Sequence, residues 1–224
     1  MISVEEKDES VDDMVLEKVR VDVRNALESS SGSHDWDHTK RVHKLCLHIG
    51  EKEGADMEVL ELAAVLHDIG RPEQDASGGK ICHAKRGAEI ARNILEKHGL
   101  AKDKIEKIEH CIGSHRFRKD TIPQSREAKI LFDADKLDAI GAVGIGRAFL
   151  FAGEVGAKLH NSDVDIEMTE EYTREDTAYR EFMVKLRKVK DKMMTDEGKR
   201  LAEGRHDFMV GFFERIEDEI NGNL

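Results

Sequence analysis

Four residues of this 224-residue sequence combine ligand chemistry with inward-facing positions: His38, His67, Asp68 and Asp135. His38 precedes Val42 by four residues and Leu45 by seven, which puts it on the apolar stripe of a helix. His67 and Asp68 directly follow Leu66 at the end of another apolar stripe, just before Gly70. Asp135 stands four residues after Leu131 and seven after Ala128, again on an inward face. A carboxylate buried without a partner is costly. Two Asp and two His aimed into one interior therefore need something positive, and a divalent cation is the simplest candidate. Taken singly, each histidine is more often a satisfied core or surface residue than a ligand, and an adjacent His-Asp pair arises by chance. Periodicity leaves both readings open; the coincidence of four such residues on separate helices is what favours a metal.

Rival metal scaffolds can be checked directly. The HExxH of a zincin is absent. A ferritin-like di-iron bundle requires Glu-x-x-His on each of two helices, and the chain offers only Glu203 to His206, in a charged segment that reads as surface. Cys46, Cys82 and Cys111 are isolated, without a CxxC pair, and read as small buried hydrophobes of a protein in a reducing cytoplasm.

The elements that must position these residues are helices. Few prolines (2) and low aromatic content (5%), with abundant Glu, Lys, Arg, Leu and Ala, favour an all-α fold. Val15 to Leu27 mark a first helix, and Val42 to Ile49 a second that Gly50 and Gly54 close. Val59 to Leu66 mark a third, stopped by Gly70 and Pro72; Ala84 to Leu95 a fourth, with Gly99 after its end; and Ile105 to Ile112 a fifth. A sixth starts after Pro123 and runs on through DADKLDAIGAVGIGRAF. Residues 72–82 and 152–172 read as loops, the second long enough to cover a site. One or two further helices carry Phe182, Leu186 and Val189 on one face, and Phe208, Met209, Phe212, Phe213 and Ile216 on another. The expected layout is a core over residues 1–150, its first 14 residues flexible, and a loop with a helical C-terminal extension over 151–224 packed on that core.

The charge balance limits partners. A formal net charge of −11 opposes binding of duplex nucleic acid, but not of a small anion held in a local basic pocket. The acidic N-terminus lacks the basic and apolar segments of a signal peptide, and no apolar run approaches a membrane span of roughly 20 residues. A cytoplasmic protein without a membrane partner is the expectation. Oligomeric state does not follow from the sequence, and a homodimer stays open.

Beyond the four residues, an ordered series of segments is similar to one known family. HDWDHTKRVHKL, ELAAVLHDIGR, HAKRGAEIARNIL, SHRFR, EAKILFDADKLDAIGAVGIGRAF and MMTDEGKRLAEGRHDFM extend from about residue 33 to about 215. Together they resemble the HD-domain metal-dependent phosphohydrolase superfamily, in its YpgQ/YedJ-like branch. The resemblance implies a right-handed helical HD core, a divalent metal on His38, His67, Asp68 and Asp135, and hydrolysis of phosphoester or phosphoanhydride bonds. It also implies that His83, with either His110 or His115, stands where two-metal members hold a second ion and one-metal members face substrate phosphates. One metal per chain is the expectation. Some HD nucleotidases place a glutamate general base shortly after the HD pair; here the segment reads HDIGRPE, with Arg71 nearer and Glu73 further on, so that role does not transfer.

The mixed N/O donor set suits Mn²⁺, Fe²⁺, Co²⁺ or Ni²⁺ better than Mg²⁺. Asp68, His83, His115 and Lys136 are expected to carry the chemistry, with Asp138, one helical turn past Asp135, behind them. Arg71, Lys85, Arg86, Arg116 and Arg118 cluster beside the histidine motifs and read as a phosphate pocket, although each alone fits a solvated surface residue. Trp36 fits a base-stacking ring or a hydrophobic staple. The small residues from Gly141 to Gly146 read as a close helix approach rather than a phosphate loop. The leading function is hydrolysis of nucleotides, nucleoside triphosphates or related phosphoanhydrides. The alternatives are a cyclic or linear dinucleotide phosphodiesterase, a nucleotide-binding sensor without turnover and, disfavoured, a metal-storage bundle.

Overall fold

Val15, Val19, Val23 and Leu27 recur at helical spacing, and in the computed structural model they are the buried face of α1 (Val11–Leu27). The structure describes residues 11–27, 36–116 and 121–224. Helix α2 (Trp36–Glu53) buries His38, Val42, Cys46 and Ile49 along one stripe, and Trp36 packs against the core. Helix α3 (Met57–Leu66) is apolar nearly all round, so it occupies the centre, packed by α1, by α2 and by α6 (Lys102–Ser114) and α7 (Arg126–Leu137). Asp56 and Ser125 cap α3 and α7 by accepting from the amides of Val59 and Ala128. Among the described residues no strand forms. The fold is all-α.

Three local expectations change. Gly50 does not close α2: it is buried inside the helix, where a Cβ would meet the Leu60 and Met57 side chains at 2.6 and 2.9 Å, so it admits α3 rather than ending α2. The expected loop after Gly70 contains a short helix, α4 (Arg71–Ala76), because Pro72 at its start has the φ of a first helical turn and no amide to lose there. The expected continuous sixth helix is two. Helix α7 ends at Leu137 and α8 (Gly141–Glu154) starts anew after an extended Ile140. The break is tertiary in origin: Arg205 donates to the carbonyl of Leu137, and Gly141 sits at φ +77°, beyond the comfortable range of other residues.

Backbone approach at one point sets the interior geometry. A Cβ on Gly70 would lie 2.4 Å from the carbonyl oxygen of His83 and 2.7 Å from the amide nitrogen of Gly87. The turn after Asp68 is thus pressed onto the N-terminal end of α5 (His83–Lys97), which only a glycine allows.

After Glu154 the chain runs through an irregular segment to α9 (Ala178–Val184), two 3₁₀ turns and the long α10 (Asp196–Ile220). Ala178, Phe182, Ala202, Met209 and Phe213 join the same apolar cluster as Leu137 and Ile140. Asp133 ties the start of α10 to α7. Fully buried, its carboxylate accepts from the amides of Met194 and Thr195 and from the Thr195 hydroxyl, at 2.6–3.1 Å, and Gly198 leaves room for it. Asp133→Ala strands these donors and is expected to cost about 1–3 kcal/mol. The thermal midpoint should drop by several degrees and amide exchange should accelerate at residues 194–198; an unchanged midpoint would show the tether to be idle.

Candidate metal centre

The motif residues converge because α2, the end of α3, the start of α5, the end of α6 and the end of α7 all face one interior point. His38 and His67 are fully buried, with Nε2 atoms 3.3 Å apart. Asp135 Oδ1 lies 3.4 Å from His38 Nε2. On the other side His83 and His115 bring their Nε2 atoms to 3.2 Å. Asp68 stands between the two pairs. Its Oδ2 is 3.7 Å from the Nε2 of both His38 and His67, while its Oδ1 is 3.4 Å from His83 and 3.8 Å from His115. Two groups of three potential ligand atoms result, His38–His67–Asp135 and Asp68–His83–His115, each within 4.8 Å.

Every imidazole is held from behind. Nδ1 of His67 donates to the carbonyl of Ala64 at 2.8 Å, and Nδ1 of His115 to that of Ile112 at 2.6 Å. His38 Nδ1 donates to Asp138 at 2.8 Å, and His83 Nδ1 to the Gln74 amide oxygen at 2.8 Å. With the proton on Nδ1, each neutral ring turns a lone pair inward from Nε2. Lone pairs facing each other at such distances, among buried carboxylates, repel unless a cation or proton lies among them. This donor set fits a divalent metal.

Electrostatics divide the histidines. Burial opposes charge on His38, but its contacts with Asp135 and Asp138 and the nearby Asp68 outweigh it and raise its pKa to about 9. Burial pushes His83 down to about 2, although the Asp68 charge opposes this, and His115, Arg71 and Arg116 add to the fall. Burial and the neighbouring His67 lower His115 to about 4. Asp135 stays well below the usual carboxylate range despite burial, because Lys136 and His38 hold its charge.

The remaining expected site residues separate. Arg71 lies against the cluster, Nη2 being 3.4 Å from both Asp68 Oδ1 and His83 Nε2. Arg116 reaches Gln74, the residue that holds His83, at 3.2 Å. Lys136 pairs with Asp135 at 2.7 Å. Lys85 is exposed, and Arg86 is engaged by Glu73 and Glu89 at 2.6 and 2.8 Å, so neither is brought to the cluster. The pairing with Arg86 also turns Glu73 away from a base's role. Arg118 lies outside the described residues. Of the two histidines left open, His115 joins the cluster; His110 instead accepts from the amide of Gln124. Sequence reasoning missed Arg41, Arg147 and Gln74. Arg41 and Arg147 hold Asp138 with charge-assisted bonds of 2.7–3.0 Å. The position of Arg41, one turn after His38, was the available signal; Arg147 left none.

A buried His/Asp cluster on the inner faces of a helical core defines a class. The family model for the HD domain matches residues 35–140. The uncharacterized protein YpgQ of Bacillus subtilis (strain 168) is 37% identical over 216 residues, spanning 92% of this chain and 94% of that protein. A crystal structure of B. subtilis YpgQ in complex with ADP superposes with a TM-score of 0.73 at 33% identity, covering 94% of this chain and 97% of that one. The crystal structure of an HD-superfamily hydrolase from Bacillus thuringiensis gives 0.75 at 31% identity, covering 94% and 98%. This chain belongs to the HD-domain hydrolase superfamily, alongside YpgQ. Among the described residues no helix is long and apolar enough to cross a membrane.

Proposed function

We propose that the protein is a divalent-metal-dependent phosphohydrolase acting on nucleotides, with nucleoside triphosphates or related phosphoanhydrides as its substrates. The observation that carries this reading is the placement of Asp68, whose two oxygens face the two histidine pairs directly beside the Arg71 guanidinium. His38, His67, Asp68 and Asp135 hold one metal per chain, from the Mn²⁺, Fe²⁺, Co²⁺ or Ni²⁺ group. When bound, such an ion polarises a phosphoryl oxygen and lowers the pKa of coordinated water. The chain's own residues do the rest. Asp68 accepts a hydrogen bond from the attacking water and orients it, and neutral His83 and His115 face the phosphates. Arg71, with Arg116 behind Gln74, offsets the substrate charge, and Lys136 keeps Asp135 ionised. The ADP complex of YpgQ supports a nucleotide as substrate. Metal analysis of the purified protein followed by a release screen tests the reading: pyrophosphate from triphosphates marks attack at the α position, and orthophosphate a terminal cut. Release of nucleosides from monophosphates with triphosphates left intact would refute the polyphosphate preference.

The second ligand triad favours one further reading, a second ion that Asp68, His83 and His115 would hold. His115→Ala separates the two. Under the one-metal reading it keeps one equivalent and loses rate; under the other it lowers stoichiometry from two towards one.

Proton competition gives a signed pH dependence. Ligation through Nε2 of His38 must displace a proton held with a pKa of about 9. His83 and His115 are already neutral at pH 7 and add no such competition. Metal affinity is therefore expected to rise about tenfold per pH unit from pH 7 towards 9 and to level off above it. Titrations that show no dependence over this range would remove His38 from the ligand set.

A further inference from the structure

A cavity of about 720 Å³ lies between α8, α9 and the irregular segment that precedes α9, in the size range of small-molecule sites. Arg71 lines it and also contacts Asp68 and His83, so the cavity opens beside the metal cluster. None of its other lining residues belonged to the expected phosphate pocket. Helix α8 serves as its ruler. Arg147, Phe151 and Glu154 follow at helical spacing on the cavity face, so Phe151 stands about 6 Å and Glu154 about 10 Å along the axis from Arg147. The metal end is fixed by Arg147, which bonds Asp138 at 2.7 Å, which in turn bonds His38 at 2.8 Å. Arg147 reaches Asp138 through Nη1 alone, leaving its other nitrogens for the cavity.

The far end has different chemistry. Tyr172 meets Phe151 edge to face at 5.9 Å, yet the residue remains 73% exposed. It is the one non-glycine residue with positive φ (60°) among the described residues. Its amide donates to Asp176, which the buried Arg180 holds at 2.9 Å. A left-handed tyrosine is strained, and strain persists only where surrounding structure imposes it. Here the imposed conformation displays an aromatic ring to a cavity. Glu154 and Glu171 line the same end and make no ion pair or side-chain hydrogen bond among the described residues. Ionised carboxylates only accept hydrogen bonds. The end beside the cluster is cationic, and the end beyond Phe151 is aromatic and acceptor-rich.

Building on the nucleotide reading above, we propose that this cavity seats the nucleoside and selects for it: phosphates lie at Arg71 and Arg147, the base lies on Phe151 and Tyr172, and Glu154 and Glu171 accept from an exocyclic amino group. The site prefers adenine, cytosine or guanine nucleotides over those of uracil and thymine. Cytosine and uracil are the sharpest probe, since they match in size and differ at position 4, where cytosine has an amino group and uracil a carbonyl that would face the carboxylates. The wild-type protein should turn over cytidine triphosphate with about tenfold higher kcat/KM than uridine triphosphate. Glu154→Gln and Glu171→Gln, which add a donor, should narrow that ratio. Tyr172→Ala should raise the KM for cytidine triphosphate relative to that for inorganic tripolyphosphate by about tenfold, and Tyr172→Phe, which keeps the ring, should not. Equal turnover of the two triphosphates, or a KM ratio that Tyr172→Ala leaves unmoved, or equal loss in the Ala and Phe variants, would overturn the assignment while leaving nucleotide hydrolysis intact. Absence of turnover on any nucleotide would refute the proposed function instead. Calorimetric binding of cytidine and uridine diphosphates would then still decide the base selection, with equal affinities counting against it.

Discussion

Asp68→Ala is expected to empty the metal site and to abolish phosphate release, by on the order of a thousandfold or more. Among the described residues no other faces both histidine pairs, one oxygen to each, at 3.4–3.8 Å. Its loss removes a charge from the ligand set and leaves Nε2 lone pairs converging with too little negative charge to hold a divalent ion. The side chain is almost fully buried, so water cannot readily replace it. The fold should survive, because the surrounding core is apolar and the Gly70–Gly87 approach is a backbone contact. Inductively coupled plasma analysis of the variant beside the parent is the decisive measurement. Equal metal content in the two proteins would sink the ligand assignment, whatever the activity.

Asp138→Ala should weaken metal affinity about 10–100-fold without removing any ligand atom. Asp138 is almost fully buried and accepts from Nδ1 of His38, from two nitrogens of Arg41 and from Arg147, at 2.7–3.0 Å. It therefore fixes the tautomer and the angle of His38. It also helps hold the raised pKa of that ring. Without the carboxylate, Arg41 and Arg147 are left as uncompensated charges beside a ring free to turn. The same loss shifts the pH profile: the proton on His38 should leave at lower pH, so the rise of affinity with pH should end earlier than in the parent. A variant that bound metal as tightly as the parent, with the same profile, would show that Asp138 serves only the packing of α7 against α2.

Much of the site was legible before any coordinates, because helical periodicity records which face a residue occupies. His38, His67, Asp68 and Asp135 each sit on an apolar stripe; the first three are buried, as that stripe requires, and Asp135 is partly buried. The all-α class followed in the same way from composition and spacing. Periodicity is silent on what lies across the interior. It could not choose between His110 and His115, because the choice depends on how the end of α6 meets α5, where a Cβ on Gly87 would touch Ile112 at 3.5 Å and His115 reaches His83. Nor could it separate Arg71, which turns inward, from Arg86, which Glu73 and Glu89 draw outward. The break between α7 and α8 was hidden because its cause, the Arg205 bond to the Leu137 carbonyl, comes from 68 residues along the chain. Arg147 became visible only with that break, since the separate course of α8 carries it back to Asp138 and lays Phe151 and Glu154 along a cavity. Helical spacing within the chain was enough to turn His38, His67, Asp68 and Asp135 inward with chemistry suited to a metal. Tertiary packing decided which of them meet, because partners far apart in the chain are selected by the docking of helices rather than by the spacing within any one of them.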